Sequence, residues 1–303
     1  MFSLPPPRHI STLPAFYLCL ALALLLDLPG YRQSWKWHAA QLTNVYVSLH
    51  GSWELAWPAA PLWSLNVEEQ FYFIWPLIVA ATPRRMLPLV FGCIIIVGPL
   101  YRLVGSTLDL NEVALGALPP ASLDALGAGA LLALWPRNVV YWLGGLCAPA
   151  AVVAFIPGLD GLWINEFVEF GLLPVFCALI LAGYRGALGA LQWPPLPALG
   201  RVSYGIYLYH MPVLAVAINL GLAPRGRVTL VVCSVVTTAV ASLSYLLLER
   251  PIRAEVAQRL ERAERSVPDH PDESLSPHSM IGVASEARGD NPDVDAAGQD
   301  RRV

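Results

Sequence analysis

An all-α, polytopic transmembrane helix bundle of about eight spans is the fold this sequence predicts. Three observations carry it. Of the 303 residues, 56% are hydrophobic and only 14% charged, whereas soluble domains run nearer a quarter charged. Mean hydropathy is +0.54. The apolar residues also gather in runs close to the length a bilayer demands, about 20 residues per helical span.

In chain order these runs cover about 13–28, 67–82, 86–104, 122–135, 138–156, 167–184, 203–221 and 228–248. Arg8 and His9 ahead of the first run imitate a secretory signal. The run nevertheless ends at Asp27-Leu28-Pro29-Gly30 with no small-x-small cleavage site, so it reads as a retained transmembrane helix. The fourth run is short and holds Gly127 and Gly129, which reads as a tilted or tightly packed span. Alternate loops carry Arg8, Arg84 and Arg85, Arg137, Arg185 and Arg201, and Arg250 and Arg253. The opposite set carries Arg32, Lys36, Arg225 and Arg227, and its loops 105–121 and 157–166 have no basic residue. Cytoplasmic loops hold the Lys/Arg excess, so the chain is expected in the inner (plasma) membrane, multi-pass, with both termini cytoplasmic. That orientation puts the start of the second span, with its two glutamates, near the outer face.

From Ala254 onward there are 11 acidic and 6 basic residues. A short charged helix over 254–265 is expected there, followed by a Ser/Pro/Asp/Gly/Glu-rich stretch that cannot bury a core and reads as disordered. The chain thus divides into a membrane domain, 1–253, and a cytoplasmic tail, 254–303. Nothing is basic enough to suggest nucleic acid. Cys19, Cys93, Cys147, Cys177 and Cys233 stand singly in apolar runs; they read as small core residues, with no metal-ligand spacing or disulfide framework. No metal and no bound cofactor is expected.

The chemistry-bearing stretch is Trp63-Ser64-Leu65-Asn66-Val67-Glu68-Glu69-Gln70-Phe71-Tyr72-Phe73-Ile74-Trp75-Pro76. A charge at bilayer depth costs roughly 2.5 kcal/mol or more, so adjacent carboxylates in an apolar run mark a protein interior or a wet path. On a helix Glu68 and Tyr72 share a face, while Glu69 points about 100° away toward the face of Phe73. The long outer loop, 29–66, carries Trp35, Trp37, Trp53, Trp57 and Trp63, either as an interfacial belt or as a sugar-stacking surface. In Gly200-Arg201-Val202-Ser203-Tyr204-Gly205-Ile206-Tyr207-Leu208-Tyr209-His210, Ser203, Tyr207 and His210 fall on one stripe. Ser203 and His210 lie about 10 Å apart along the axis, too far for a Ser–His nucleophile pair. His210 reads equally as a satisfied structural residue or a polar site contact. Arg102 reads as a snorkelling cation or as a partner of Asp124 or another carboxylate. Glu249-Arg250-Pro251 reads as a helix end, with Glu249 and Arg250 pairing and Pro251 stopping or bending the helix.

These stretches carry a resemblance. WSLNVEEQFYFIWP resembles the WSL-x-VEEQFY-x-x-WP signature of the acyltransferase 3 family of membrane O-acyltransferases. The segment from Gly200 is similar to its LGRxSYGxYLxHxP motif, Tyr245 to Pro251 to its YxxxERP ending, and Ser122-Leu123-Asp124-Ala125-Leu126 to its RLDAL segment with Ser122 in place of Arg. The resemblance covers about residues 8–253 and implies an enzyme moving an acyl group, often acetyl, from acyl-CoA as donor substrate to a hydroxyl of an envelope polysaccharide or small molecule. It implies catalytic roles for Glu68, Glu69 and His210, and substrate binding by Arg102, Tyr72, Tyr207 and Trp63. The family's first helix carries an Arg, ten residues and a His taken as the general base, and no histidine here matches it. The resemblance therefore also implies an N-terminally shortened member, short of about two spans. An inactive truncated remnant and a small-molecule permease using Glu68 and Glu69 as a proton site stand as alternatives.

Overall fold

The computed structural model describes residues 9–134, 137–153, 156, 162–222 and 226–266. No strand occurs among them, so the chain is all-α. It forms two compact units, Met1–Ala257 and Gln258–Val303, and the description of the second stops at residue 266. The tail expected to be disordered lies outside the described residues.

Each of the eight apolar runs is a helix. They are α1 (His9–Leu25), α4 (Leu62–Ala81), α5 (Leu87–Thr107), α7 (Leu123–Leu134), α8 (Val139–Val153), α9 (Leu162–Tyr184), α10 (Pro195–Asn219) and α11 (Arg227–Ser244). Between them lie α2 (Tyr31–Ala39), α3 (Thr43–His50) and α6 (Glu112–Ala117), and α12 (Arg250–Ser266) follows. Among the described residues, Arg84–Thr107 and Arg227–Arg259 are long and apolar enough to cross a membrane, while Thr12–Leu25, Pro119–Leu134, Val139–Pro149 and Val168–Tyr184 are shorter apolar helices. Large apolar side chains stay outside the bundle, among them Phe73 and Leu77 on α4, Leu89 and Ile96 on α5, and Leu230 and Val235 on α11. Contiguous apolar surface of this kind is what lipid covers; the chain is a membrane protein. Cys93 belongs to that surface: it is exposed, whereas Cys19 is buried, so the expectation of five core cysteines fails there.

The helices pair closely: α10 with α11, α5 with α7, and α8 with α9. Small residues permit it. A Cβ on Gly205 would stand 2.9 Å from the Ala241 Cβ across α10 and α11, the close backbone approach that small residues give membrane helices. The largest buried cluster joins Ala15, Phe16 and Cys19 of α1 to Leu62 and Leu65 of α4 and to Leu208 and Tyr209 of α10.

Two findings depart from the sequence reading. The stretch 29–66 is folded rather than an open loop. His38, Thr43, Asn44 and Asn66 are fully buried within it, and each is paired. The Ser34 hydroxyl donates to the Gly30 carbonyl (2.5 Å). His38 reaches Ser34 and the Gly30 carbonyl through Nε2 (2.8 and 3.1 Å) and Thr43 Oγ1 through Nδ1 (2.8 Å). The Thr43 N–H opens α3 and has no helical acceptor; Asn66 Oδ1 of α4 accepts from it at 2.7 Å. Asn66 Nδ2 donates to Gln41 Oε1. One turn on, Gln70 Nε2 donates to the Gln41 carbonyl (2.9 Å) and to Asn44 Oδ1 (3.1 Å). Asn66 and Gln70 thus lock α4 to the α2–α3 corner.

The second departure is in the pairing of Glu249, beside Pro251. The chain stays helical through it, by way of a π-helical turn over Tyr245–Glu249 in which the Arg250 N–H bonds the Tyr245 carbonyl. Proline has no N–H for the ordinary bond four residues back, and the widened turn absorbs that loss. Glu249 pairs with Arg253 (3.2 Å) rather than with Arg250, because residues four apart share a helix face and adjacent ones do not.

Arg102 takes its paired reading. Its guanidinium bonds Asp124 Oδ2 (2.8 Å) and the Ala121 carbonyl (2.6 Å), with Glu169 at 3.5 Å. Gly98 makes the room: a Cβ there would lie 2.7 Å from the Asp124 Cγ. Removing one member of a buried pair costs about 3–5 kcal/mol. Arg102→Leu should therefore lower the melting temperature in detergent by roughly 10 °C, and adding Asp124→Leu should recover much of that. A single variant as stable as the parent would contradict the assignment.

Burial pushes the His38 ring below the usual histidine pKa, with the Gly30 carbonyl opposing in part. The unfolded chain then takes up a proton near pH 6.5 that the folded chain still refuses. Stability is full above that pH and falls as pH drops below it. The melting temperature of the parent should decline from about pH 7 to pH 5, and that of His38→Asn should decline less. Parallel profiles would show that His38 does not titrate against folding.

Candidate functional site

With Asn66 and Gln70 turned toward the α2–α3 corner, α4 presents a second polar face. Ser64, Leu65, Glu68, Glu69 and Tyr72 follow the helical spacing of one face, and all five line a cavity of about 630 Å³. Pro197, Gly200, Arg201, Ser203, Tyr204 and Tyr207 of α10 form the opposite wall, with Thr12 of α1 and Arg253 of α12. The walls are tied where Tyr207 Oη and Ser64 Oγ meet at 2.6 Å and Tyr207 donates to the Pro61 carbonyl at 2.9 Å. The Ser203 hydroxyl is spent on the Gly200 carbonyl (3.0 Å).

Glu68 and Glu69 are thus not divided between two faces. Both enter the cavity, and Phe73 goes to the outside. No hydrogen bond or ion pair engages the Glu68 carboxylate among the described residues. The two carboxylates share their cavity with Thr12, Arg201 and Arg253 as well as with Ser64 and Leu65 at the start of α4.

The remaining candidates lie elsewhere. His210 donates from Nδ1 to the Tyr207 carbonyl (2.5 Å), which swings the ring out of the Ser203–Tyr207 row. It lines a separate cavity of about 600 Å³ with Ile206, Arg227 and Thr237. Arg102 is enclosed by Asp124 and Ala121 and does not line the Glu68 cavity. Trp63 packs on Trp53, with ring centroids 5.7 Å apart, and lies outside it too. The structure therefore brings Glu68, Glu69, Tyr72 and Tyr207 together and leaves His210, Arg102 and Trp63 apart. Sequence reasoning did not select Ser64, Arg201, Tyr204 or Arg253. The first three sit inside the quoted motifs at helical spacing from chosen residues, so the signal was present; Arg253 gave none. The chemical content of the cavity is two carboxylates, two guanidiniums and a row of hydroxyls and phenols. Such a set can bind a polar ligand, accept a proton and stabilise a developing charge. Among the described residues, no cluster of His, Cys, Asp and Glu can hold a metal.

The chain is similar to YrhL of Bacillus subtilis, at 30% identity over 65% of this chain and 35% of the relative. It is similar to the O-acetyltransferase OatA of Staphylococcus aureus, at 28% identity over 65% and 36%, and to the peptidoglycan O-acetyltransferase OatA of Listeria monocytogenes, at 28% identity over 68% and 37%. It spans about a third of the length of these curated relatives. No solved structure matches. Residues 8–247 match the family described as an acyltransferase domain, and the chain belongs to that family, acyltransferase 3.

Proposed function

We propose that the chain is a multi-pass membrane O-acyltransferase that moves an acyl group, acetyl by the names of its relatives, from acyl-CoA to a hydroxyl of an envelope glycan. The observation that carries this reading is the cavity in which Glu68 and Glu69 face Tyr207 and Ser203 across 130 residues of chain and more. An acyl transfer between a thioester and an alcohol needs a base for the alcohol and donors for the oxyanion. In this assignment Glu68 takes the proton of the acceptor hydroxyl as its oxygen attacks the thioester carbonyl. The Tyr207 phenol, which donates to the Pro61 carbonyl, turns to donate to the oxyanion, and Ser64 Oγ supports it from behind. As the intermediate collapses the C–S bond breaks, and the leaving thiolate recovers the proton from Glu68. Glu69 binds the acceptor, and Tyr72 lines its path. Thr12, Arg201 and Arg253 lie in segments that the basic-residue asymmetry assigns to the cytoplasm, the compartment that supplies acyl-CoA.

General-base catalysis contributes about 10²–10⁴-fold. Glu68→Gln should lower transfer of labelled acetyl from acetyl-CoA to envelope material by a factor in that range, and Glu69→Gln should lower it with a raised requirement for acceptor. Membrane insertion and melting temperature should stay near those of the parent. Full activity in both variants, or a parent chain that labels no envelope material, would sink the reading.

A further inference from the structure

Resting on that reading, we infer that Arg201 and Arg253 form the subsite for the phosphate groups of the acyl donor, with Glu249 as the positioning residue that aims Arg253. The two guanidiniums line one cavity from different helices, α10 and α12, with the carboxylates on α4. Arg201 has no ion-pair partner among the described residues, so its charge is not spent on Glu68, which shares the cavity. Arg253 is held in place. Its Nη2 lies 3.2 Å from Glu249 Oε2, and its guanidinium lies 5.9 Å from the centroid of the Tyr245 ring.

The support behind Arg253 is built. Glu249 is fully buried, and a buried carboxylate is costly unless it is paired. Its Oε1 has no hydrogen-bond partner among the described residues. It sits in the π-helical turn over Tyr245–Glu249, and such bulges recur at functional sites. The turn offsets α12 from α11 and brings Arg253 to the cavity wall. A buried, incompletely bonded anion behind a partly exposed arginine is an expensive arrangement for helix packing alone. It suits an arginine held ready for an anionic ligand, because the planar fork matches phosphate oxygens in two bonds at once.

The order along the walls fits a donor with a charged end and a reactive end. Ser64 meets Tyr207 at one end of the α4–α10 seam. Arg201 lies six residues back along α10, roughly 9 Å at helical rise. A ligand anchored at Arg201 and Arg253 thus extends its neutral arm past Glu68 toward the Ser64–Tyr207 junction. An anionic phospholipid headgroup presents the same phosphate chemistry, and the probes separate the two sources.

The test is binding of coenzyme A, and of pantetheine, to the full chain in neutral detergent. Pantetheine carries the same thiol arm without phosphate. Arg201→Gln and Arg253→Gln should each weaken coenzyme A by about tenfold to a hundredfold, the loss of charged hydrogen bonds. Pantetheine binding should not change. Salt should weaken coenzyme A binding to the parent more than to the double variant. Glu249→Gln should weaken coenzyme A several-fold and Glu249→Asp should restore part of that, with the Michaelis constant for acetyl-CoA moving more than the turnover rate.

Equal coenzyme A binding by parent and arginine variants would overturn the inference. So would variants that lose retention of phosphatidylglycerol over phosphatidylcholine in nanodiscs while keeping coenzyme A, since the site would then be the lipid's. A parent that binds coenzyme A through the two arginines but labels no glycan would support the subsite and sink the reaction. A parent whose transfer survives both arginine substitutions would do the reverse.

Discussion

The placement of α4 depends on one constraint: Asn66 is buried to exclusion of water, and a buried amide left unpaired costs about 1–3 kcal/mol. Its oxygen must find the Thr43 N–H and its nitrogen the Gln41 side chain. Gln70 repeats the requirement one turn later. Two side-chain amides four residues apart fix both the rotation and the height of a helix. Any other rotation of α4 would bury Glu68 against the α2–α3 corner or expose it to lipid. The carboxylates reach the cavity because the amides beside them have only one place to go.

The same pairing recurs at two sites of buried charge. Arg102 and Asp124 satisfy each other between α5 and α7, and Glu249 meets Arg253 across the π turn. On α11, Thr238 and Ser242 return their hydroxyls to the carbonyls four residues back, which keeps those two groups bonded in apolar surroundings. Against this background the Glu68 carboxylate, with no partner among the described residues, stands out. Charge that a fold does not use for itself is available to a ligand.

Much of the architecture was legible in the sequence, because apolar runs of bilayer length leave little choice of secondary structure. Each of the eight runs is a helix, and Arg102 with Asp124 forms one of the pairs that were read from charge in apolar surroundings. What failed, failed for physical reasons. Adjacent glutamates were separated by an ideal 100° step, which holds for bond vectors but not for two long side chains reaching one wide cavity. His210 stands at helical spacing from Ser203 and Tyr207 and open to two readings, and its bond to the Tyr207 carbonyl accords with the structural one. Of the two readings of Pro251, a stop and a bend, the stop is excluded, because a π turn carries the helix past the missing N–H. The folded 29–66 segment was hidden because its order comes from buried polar contacts, which have no hydrophobic periodicity to read.

Ser203 faces water inside a cavity while Phe73, one residue beyond Tyr72 on α4, faces lipid, although both are exposed on the protein surface. Only a thiol in water ionises and reacts with a charged reagent. With the five native cysteines replaced, a single cysteine at 203 and a single cysteine at 73 would be treated in membranes with a charged methanethiosulfonate. Fast labelling at 203, slowed by acetyl-CoA, with almost none at 73, is the predicted result. Equal labelling at the two positions, or a silent cysteine at 203, would contradict it.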